Sequence, residues 1–234
     1  MQLFYNADIT NNQTTFTFDR EESRHIVKVL RKKEGDTILL TNGKGSVFTA
    51  KVTFAADKKC IVDIVSEETS EPLPYYLHLA VAPTKMNDRY EWFLEKATEI
   101  GISEITPLIC DHSERTSFKA ERFEKILQSA MKQSLQYHLP KLNEPTSFKD
   151  FVNVEHEGQL FIAHCEETDK KLLKTEIQPK QKITVLIGPE GDFSIKEIAL
   201  ALQQQYTPVS LGNTRLRTET AAIVASHSVA FVNE

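Results

Sequence analysis

Apolar and polar positions alternate from the N-terminus to about residue 66 and then give way to a longer beat. Gln2–Tyr5, Thr14–Phe18, Thr37–Thr41, Val47–Phe54 and Cys60–Val65 carry the β-branched and aromatic residues of strands. Asn42-Gly43-Lys44-Gly45 stands between the third and fourth of these as a hairpin turn. One helical insert, Arg20–Leu30, interrupts the series, with Ile26, Val29 and Leu30 expected on one inward face. Short strands around one helical crossover predict a small β-barrel.

Glu67-Glu68-Thr69-Ser70-Glu71-Pro72-Leu73-Pro74 is acidic and rich in proline, so a boundary is expected near residue 70, dividing 1–70 from 71–234. Beyond it the pattern predicts strands at Tyr75–Ala82, Glu104–Cys110, Leu160–Ala163, Ile183–Ile187 and Pro208–Leu211. Helices are expected at Met86–Ile100, Ala120–Tyr137, Ile195–Gln204 and Thr218–Val232. Strands interleaved with helices imply an α/β domain on a largely parallel sheet.

Two loops in this second half are unusual. Ile187-Gly188-Pro189-Glu190-Gly191-Asp192-Phe193-Ser194 and Leu211-Gly212-Asn213-Thr214-Arg215-Leu216-Arg217 each follow an apolar run and precede a helix. The chain has eight glycines in 234 residues, and three of them sit here. Glycine in a βα turn permits a positive φ or a close approach of backbone to ligand. Such loops lie at the carboxyl ends of parallel strands, where open α/β sheets bind ligands. Neither loop is a dinucleotide G-x-G-x-x-G fingerprint or a phosphate-binding G-K-[S/T] loop. At the start of the last helix Thr218 is placed to cap, and Glu219 complements the macrodipole. Arg217 is out of place there, since a cation at the positive end of a helix is unfavourable. It points to an anionic substrate or a reacting group. Downstream, Ala221, Ala222, Ala225, Ser226, Ser228 and Ala230 suit either a dimer interface or close packing of the helix beneath other chain.

Composition changes this picture little. A chain 40% apolar and 26% charged is an ordinary globular protein. No apolar run approaches the roughly 20 residues of a membrane helix, and the first residues lack a secretion signal. Three scattered cysteines suggest neither disulfides nor zinc, so a reduced cytoplasmic compartment is expected. The net charge of −5 argues mildly against a polyanionic partner, although a local patch can overrule the total. One candidate patch exists. Arg24, Lys28 and Arg31 recur at i, i+4, i+7 beside His25 and run into Lys32-Lys33, which reads either as a phosphate-contacting surface or as a solvated face. His25, His112, His138 and His227 have no metal-ligand spacing, and no serine sits in a G-x-S-x-G elbow.

The pairing of Ile-Gly-Pro-Glu-Gly (187–191) with Leu-Gly-Asn-Thr-Arg-Leu-Arg-Thr-Glu-Thr-Ala (211–221) resembles the signature of the ribosomal small-subunit RNA uracil-N3 methyltransferases, knotted enzymes of the SPOUT superfamily. His25–Arg31 resembles the basic helix of that family's N-terminal PUA-like barrel. Lys85, Arg89-Tyr90-Glu91-Trp92 and Lys96–Gly101 resemble the opening of its methyltransferase domain, and Glu114-Arg115-Thr116 and Gln133 fall at its shorter motifs. Leu135-Gln136 stand where many relatives carry Gly or Asn and then Arg, so no RNA contact is transferred to that segment.

The resemblance implies a PUA-like β-barrel joined to an α/β domain with a parallel sheet and a trefoil knot, a topology that general rules discourage. It implies S-adenosylmethionine held by His164, Glu166, Ile187, Gly188, Pro189, Glu190, Gly191, Leu211, Gly212, Leu216, Thr218 and Thr220, with no metal. Arg217 is the implied catalytic residue, stabilising charge on the base. Glu219 either accepts a proton or positions Arg217. Arg24, His25, Lys28, Arg31, Lys85 and Arg89 are the implied contacts to 16S rRNA of the small ribosomal subunit, and a homodimer the implied assembly. A ribose 2′-O enzyme of the same superfamily is the nearest rival, although its Asn-Glu-x-x-Gly and Ser-Leu-Asn segments are missing. A non-catalytic RNA-binding or ribosome-assembly factor is the alternative from another class; a nicotinamide dehydrogenase lacks its fingerprint.

Overall fold

The computed structural model describes residues 2–116 and 118–234. The chain forms two compact units, one of residues 1–72 with 131–139 and one of 73–130 with 140–234.

In the first unit, β1 (Leu3–Tyr5), β2 (Thr15–Thr17), β3 (Thr37–Thr41), β4 (Ser46–Ala56) and β5 (Lys59–Thr69) make a five-stranded sheet in the order β1-β3-β4-β5-β2. Only the β1–β3 pair is parallel. Alternate residues Ile38 and Leu40, Phe48, Ala50 and Val52, and Cys60 and Val62 point into a core with Phe4, Phe16, Phe18 and Ile26. Each fully buried side chain of this size contributes about 1.5–3 kcal/mol. Register shifts in the β4–β5 pair at Thr49/Ala50 and Val52/Phe54 bend the long hairpin around that core. β5 runs on through Glu67-Glu68-Thr69, so part of the expected linker is strand. The predicted turn at 42–45 is present, and Gly45 N–H donates to Tyr137 C=O at 2.9 Å while Leu139 N–H donates to Gly43 C=O at 2.8 Å.

The helical insert departs from expectation. α1 (Arg20–Arg24) is capped by Asp19, whose carboxylate accepts from Glu22 N–H. The chain then widens into a π-helical turn over His25–Val29, closed by Leu30 N–H on His25 C=O at 3.0 Å. Five-residue spacing rotates Val29 off the inward face that 3.6-residue spacing assigns to it. Ile26 is fully buried, whereas Val29 is 66% exposed. Arg24, His25, Lys28 and Arg31 all remain exposed.

In the second unit, β6 (Tyr76–Val81), α2 (Asn87–Ile100), β7 (Glu104–Ile109) and α3 (Ala120–Gln133) match their predicted elements, except that α3 stops four residues short of Tyr137. Short pieces that carry too little periodicity to be read follow: β8 (Lys141–Leu142), β9 (Thr146–Ser147) and α4 (Phe148–Val152). β10 (Gln159–Ala163), the unpredicted β11 (Lys171–Leu172) and α5 (Leu173–Glu176), β12 (Lys182–Ile187), α6 (Ile195–Gln203), β13 (Thr207–Ser210) and α7 (Thr218–Val232) complete it. The sheet is parallel throughout, in the order β11-β13-β10-β12-β6-β7-β8, with β9 also pairing β7. β12 is buried on both faces from Ile183 to Ile187, which is why it reads as a continuous apolar run. α4 and α6 cover one face through Phe148, Phe151, Ile198 and Ala201. α7 packs against α2, α5, β6 and β12. Its small residues Ala222, Ala225 and Ser226 are buried within the chain, which is the close-packing use of that face. No helix among the described residues is long and apolar enough to cross a membrane.

Candidate active site

Strands β10, β12 and β13 are neighbours in the sheet and end side by side, so the loops after them converge. The residues after β10 (164–170), after β12 (188–194) and after β13 (211–217) line a groove with two lobes of about 320 and about 670 Å³. The lobes share Ala163, Cys165, Asp192, Arg215, Leu216 and Ala221, and their size is that of a small-molecule site.

Each loop is held by side chains of another. Thr218 Oγ1 donates to Gly188 C=O at 3.0 Å, tying the start of α7 to the loop after β12. Asp192 Oδ2 accepts from Cys165 N–H at 2.8 Å, tying that loop to the end of β10. Lys170 Nζ donates to His164 C=O at 2.7 Å and Glu166 C=O at 2.6 Å, folding the 164–170 segment back on itself. Ser194 and Glu197 form a reciprocal capping box at α6, and Glu197 Oε1 also accepts from Asp111 N–H at 2.9 Å. A ligand entering this groove meets a preorganised wall.

The glycines serve different ends. Gly212 has φ +142 with open space around it, so backbone freedom explains it. Gly188 and Gly191 have no positive φ. A Cβ on Gly188 would lie 3.1 Å from the Phe193 ring, and one on Gly191 would lie 3.1 Å from His112 Cβ. Tight packing, not left-handed backbone, requires them. The left-handed position of this loop is Asp192, at φ 63. Asp tolerates that region better than most residues.

Thr218 does not cap α7. Arg217 occupies the N-cap position with extended backbone and no side-chain cap, and Thr218, one residue further on, turns its hydroxyl to Gly188. Arg217 is exposed and lines the smaller lobe. Glu219 is 7% exposed and lines neither lobe; its Oε1 lies 3.9 Å from Arg89 Nε, and its Oε2 is buried with no hydrogen-bond partner. Thr220 also lies off the groove wall, whereas Ile187, Pro189, Glu190, Leu211, Leu216 and Glu166 are on it. Cys165 and Arg215, inside the expected loops, line it as well, and so do Lys170 and Asp192, which lie outside the expected set. His164 is 7% exposed, and neither ring nitrogen has a partner. Burial, and then the Lys170 ammonium, lower its pKa against the opposing pull of Asp192 and Glu166. Burial and the Asp192 carboxylate push the Cys165 thiol up, which makes it a poor nucleophile.

The remaining expected contacts are dispersed. Lys28 pairs with Asp57 at 3.0 Å and Lys85 with Glu114 at 2.8 Å, both exposed. Among the described residues no cluster of His, Cys, Asp and Glu could hold a metal ion.

Residues 71–230 match the RNA methyltransferase domain family, and residues 18–65 match the RNA methyltransferase PUA domain. The chain belongs to the RNA methyltransferase family. It is 31% identical to the ribosomal RNA small subunit methyltransferase E of Buchnera aphidicola, over 96% of this chain and 90% of that one. A crystal structure of a probable rRNA methyltransferase from Porphyromonas gingivalis superposes with a TM-score of 0.93 at 38% identity, covering 100% of this chain and 98% of that one. A putative methyltransferase from Legionella pneumophila, solved with bound cofactor SAM, superposes with a TM-score of 0.88 at 30% identity, covering 99% and 97%. The family expected from the loop pair and the PUA-like N-terminal unit are both as found.

Proposed function

We infer that the protein transfers the methyl group of S-adenosylmethionine to N3 of a uracil in small-subunit (16S) ribosomal RNA. The observation that carries this reading is the latched groove at the ends of β10, β12 and β13, with Arg217 exposed at its rim. The relatives' names supply the substrate class, and the Legionella structure supplies the cofactor.

The groove suits that cofactor. Ile187, Pro189, Leu211 and Leu216 offer apolar walls for a purine, exposed loop backbone offers hydrogen bonds, and Glu166, Glu167 and Asp192 offer carboxylates to a cationic donor. When bound, the cofactor supplies an activated methyl on a sulfonium. In the transfer, an N3–C bond would form as the S–C bond breaks, S-adenosylhomocysteine would be the leaving group, and the N3 proton would pass to solvent.

The residues of this chain align and stabilise. Holding the two reactants in line contributes up to roughly 7–11 kcal/mol in the best cases. Arg217 presents guanidinium donors to the uracil oxygens as negative charge builds on the base. Its position at the positive end of α7 adds to that field, which accounts for a cation where helix stability disfavours one. Glu219, buried behind the rim and facing Arg89, has the positioning role. Arg24, His25, Lys28 and Arg31 on the barrel (residues 1–70) are phosphate contacts of that unit, and Lys85 and Arg89 are phosphate contacts of the methyltransferase domain (71–234). The reading carries a trefoil knot, supported by the return of α7 against β6 and β12 after β13 and by the Thr218–Gly188 bond. It carries a homodimer, supported by the exposed Trp92 on α2 and Phe231 on α7, and a cytoplasmic location, which three scattered cysteines favour.

Incubation with small-subunit ribosomal RNA or subunits and isotope-labelled cofactor, followed by mass mapping of nucleosides, tests this. Label on uracil N3 is expected; label on ribose, or none, overturns it.

A further inference from the structure

Two arginines, not one, face the smaller lobe of the groove. Arg215 and Arg217 both line it with Leu216 between them, and Arg215 also lines the larger lobe. Both are exposed, and two residues of chain keep their α-carbons within about 7 Å of each other. Arg217 has a task in the proposed chemistry. Arg215 has none so far.

Other cations that follow the strands of this sheet are engaged. Lys85 Nζ pairs with Glu114 at 2.8 Å, Arg122 Nε pairs with Glu91 at 2.6 Å, and Lys170 Nζ holds two backbone carbonyls. Among the described residues, the guanidinium groups of Arg215 and Arg217 have neither a hydrogen bond nor an ion pair. Acids are close by, yet they are turned to other work. Glu190 and Asp192 are the carboxylates that line the smaller lobe. Glu190 Oε1 is taken up by Lys85 N–H at 2.9 Å, and Asp192 Oδ2 by Cys165 N–H at 2.8 Å. Two like charges are thus left side by side without compensation, an arrangement that an incoming anion relieves. The base under attack develops one negative charge, which Arg217 meets. A second, permanent cation beside it matches a permanent anion one sugar away from that base, and a nucleotide carries such an anion in its own phosphate. The carboxylate of the methyl donor is the other anion within reach. The exposed position of Arg215, where the two lobes meet, favours the group that arrives from solvent with the RNA.

We propose that Arg215 clamps the phosphate of the nucleotide being methylated, so that Arg215 and Arg217 hold one uridine by its backbone and its base. This inference rests on the methyltransferase reading and adds the group that seats the target nucleotide. The phosphate keeps its charge throughout the transfer, so the Arg215 contact is equally strong before and during it. The Arg217 contact strengthens as charge builds on the base. A contact of the first kind sets KM and one of the second kind sets kcat.

The test is steady-state methylation of unmodified small ribosomal subunits by the full chain, by Arg215→Ala and by Arg215→Lys, over a series of salt concentrations. Calorimetric titration with S-adenosylmethionine and thermal unfolding are measured alongside. In Arg215→Ala, KM for the subunits is expected to rise about tenfold, as loss of one charged contact gives, with kcat little changed. The slope of log KM against log salt is expected to shrink by about 0.7–0.9, the value for one phosphate. Arg215→Lys, which keeps the charge but not the planar fork, should restore the salt slope and part of KM. Cofactor affinity and melting temperature should stay level in both variants. Unchanged KM and salt slope in Arg215→Ala overturn the proposal. Weakened cofactor binding also overturns it, because Arg215 then serves the carboxylate of the donor. A loss in kcat at constant KM moves Arg215 into the chemistry, and a melting temperature that falls in step with KM marks a structural arginine; either result overturns the proposal. Absence of methyl transfer by the wild-type chain overturns the methyltransferase reading, and this proposal with it.

Discussion

His78 and His164 sit on the same parallel sheet, at 6% and 7% exposure, and their surroundings are opposite. His78, near the start of β6, has Nε2 at 2.7 Å from Thr106 Oγ1 and Nδ1 at 3.7 Å from Glu104. Glu104, at the start of β7, accepts in turn from Tyr76 Oη at 2.7 Å, Asn143 Nδ2 at 2.7 Å and Lys141 Nζ at 2.9 Å. Burial alone raises the Glu104 pKa, but the bonds from Asn143 and Tyr76, with His78 and Lys141 behind them, hold the carboxyl down at about 2. At the other ends of the strands, His164 and Glu219 keep buried atoms without partners. Around His78, near the amino ends of the strands, the polar groups are satisfied and serve stability. The other ends leave groups unsatisfied and serve a ligand.

That contrast can be broken in four places. The largest effect is expected from Arg217→Ala, which should slow methyl transfer to ribosomal RNA by roughly 10²–10³-fold. Cofactor affinity and melting temperature should barely move. Single-turnover rates with saturating cofactor measure it, and near-normal turnover removes Arg217 from the chemistry.

The satisfied end should fail in acid. Burial lowers His78 to about 4 from 6.5, so between those values the unfolded chain binds a proton that the folded chain refuses, and stability falls with pH. Glu104 is depressed to about 2 from 4.5, so its contribution is intact above 4.5 and is lost below, as pH falls toward 2. Each group is worth on the order of 3 kcal/mol over its window. Denaturant unfolding at pH 7, 5 and 4 should show a steady loss, and a flat profile over that range contradicts the assignment. In Glu104→Gln the part of the slope below about pH 4, where His78 no longer contributes, should vanish.

Thr218→Val tests the contact through which the ligand end also carries structure. Losing its bond to Gly188 C=O should cost about 1–2 kcal/mol and weaken cofactor binding, since the two loops then part. If binding stays as tight as in the wild type, the latch does not shape the groove. Tyr76→Phe gives the smallest change, about 0.5–1 kcal/mol, because it removes one bond from an exposed hydroxyl to Glu104. Titration with cofactor should be indistinguishable from wild type, and any change in affinity would link the two ends.

Most of the frame was legible before the structure. β12 announces itself because a strand buried on both faces has no polar positions, and α2 and α6 carry clear helical periods. The loops after β12 and β13 were marked by glycine and by a misplaced arginine, and both line the groove. What escaped has physical causes. β8, β9 and β11 are two residues each, too short for any period to register. The π-turn at His25–Val29 changes the spacing on which the reading of Val29 depended. Asp192 and Lys170 act through backbone groups of other segments, and no local pattern encodes a partner that lies elsewhere in the chain. Gly188 is conspicuous in the sequence, but the Phe193 ring that requires it comes beside it only on folding.

The order of strands has a consequence for how the molecule comes into being. β6 begins at Tyr76 and finds its central neighbour only at Lys182, with α7 following from Thr218. Closing so long a loop must precede any reward from the pairing, and such non-local sheets fold slowly. During synthesis β6 emerges well before β12 exists to cover its edge, and an uncovered apolar strand attracts aggregation. Refolding from denaturant should accordingly be slow and limited by this step, and a nascent chain halted before α7 should hold no cofactor.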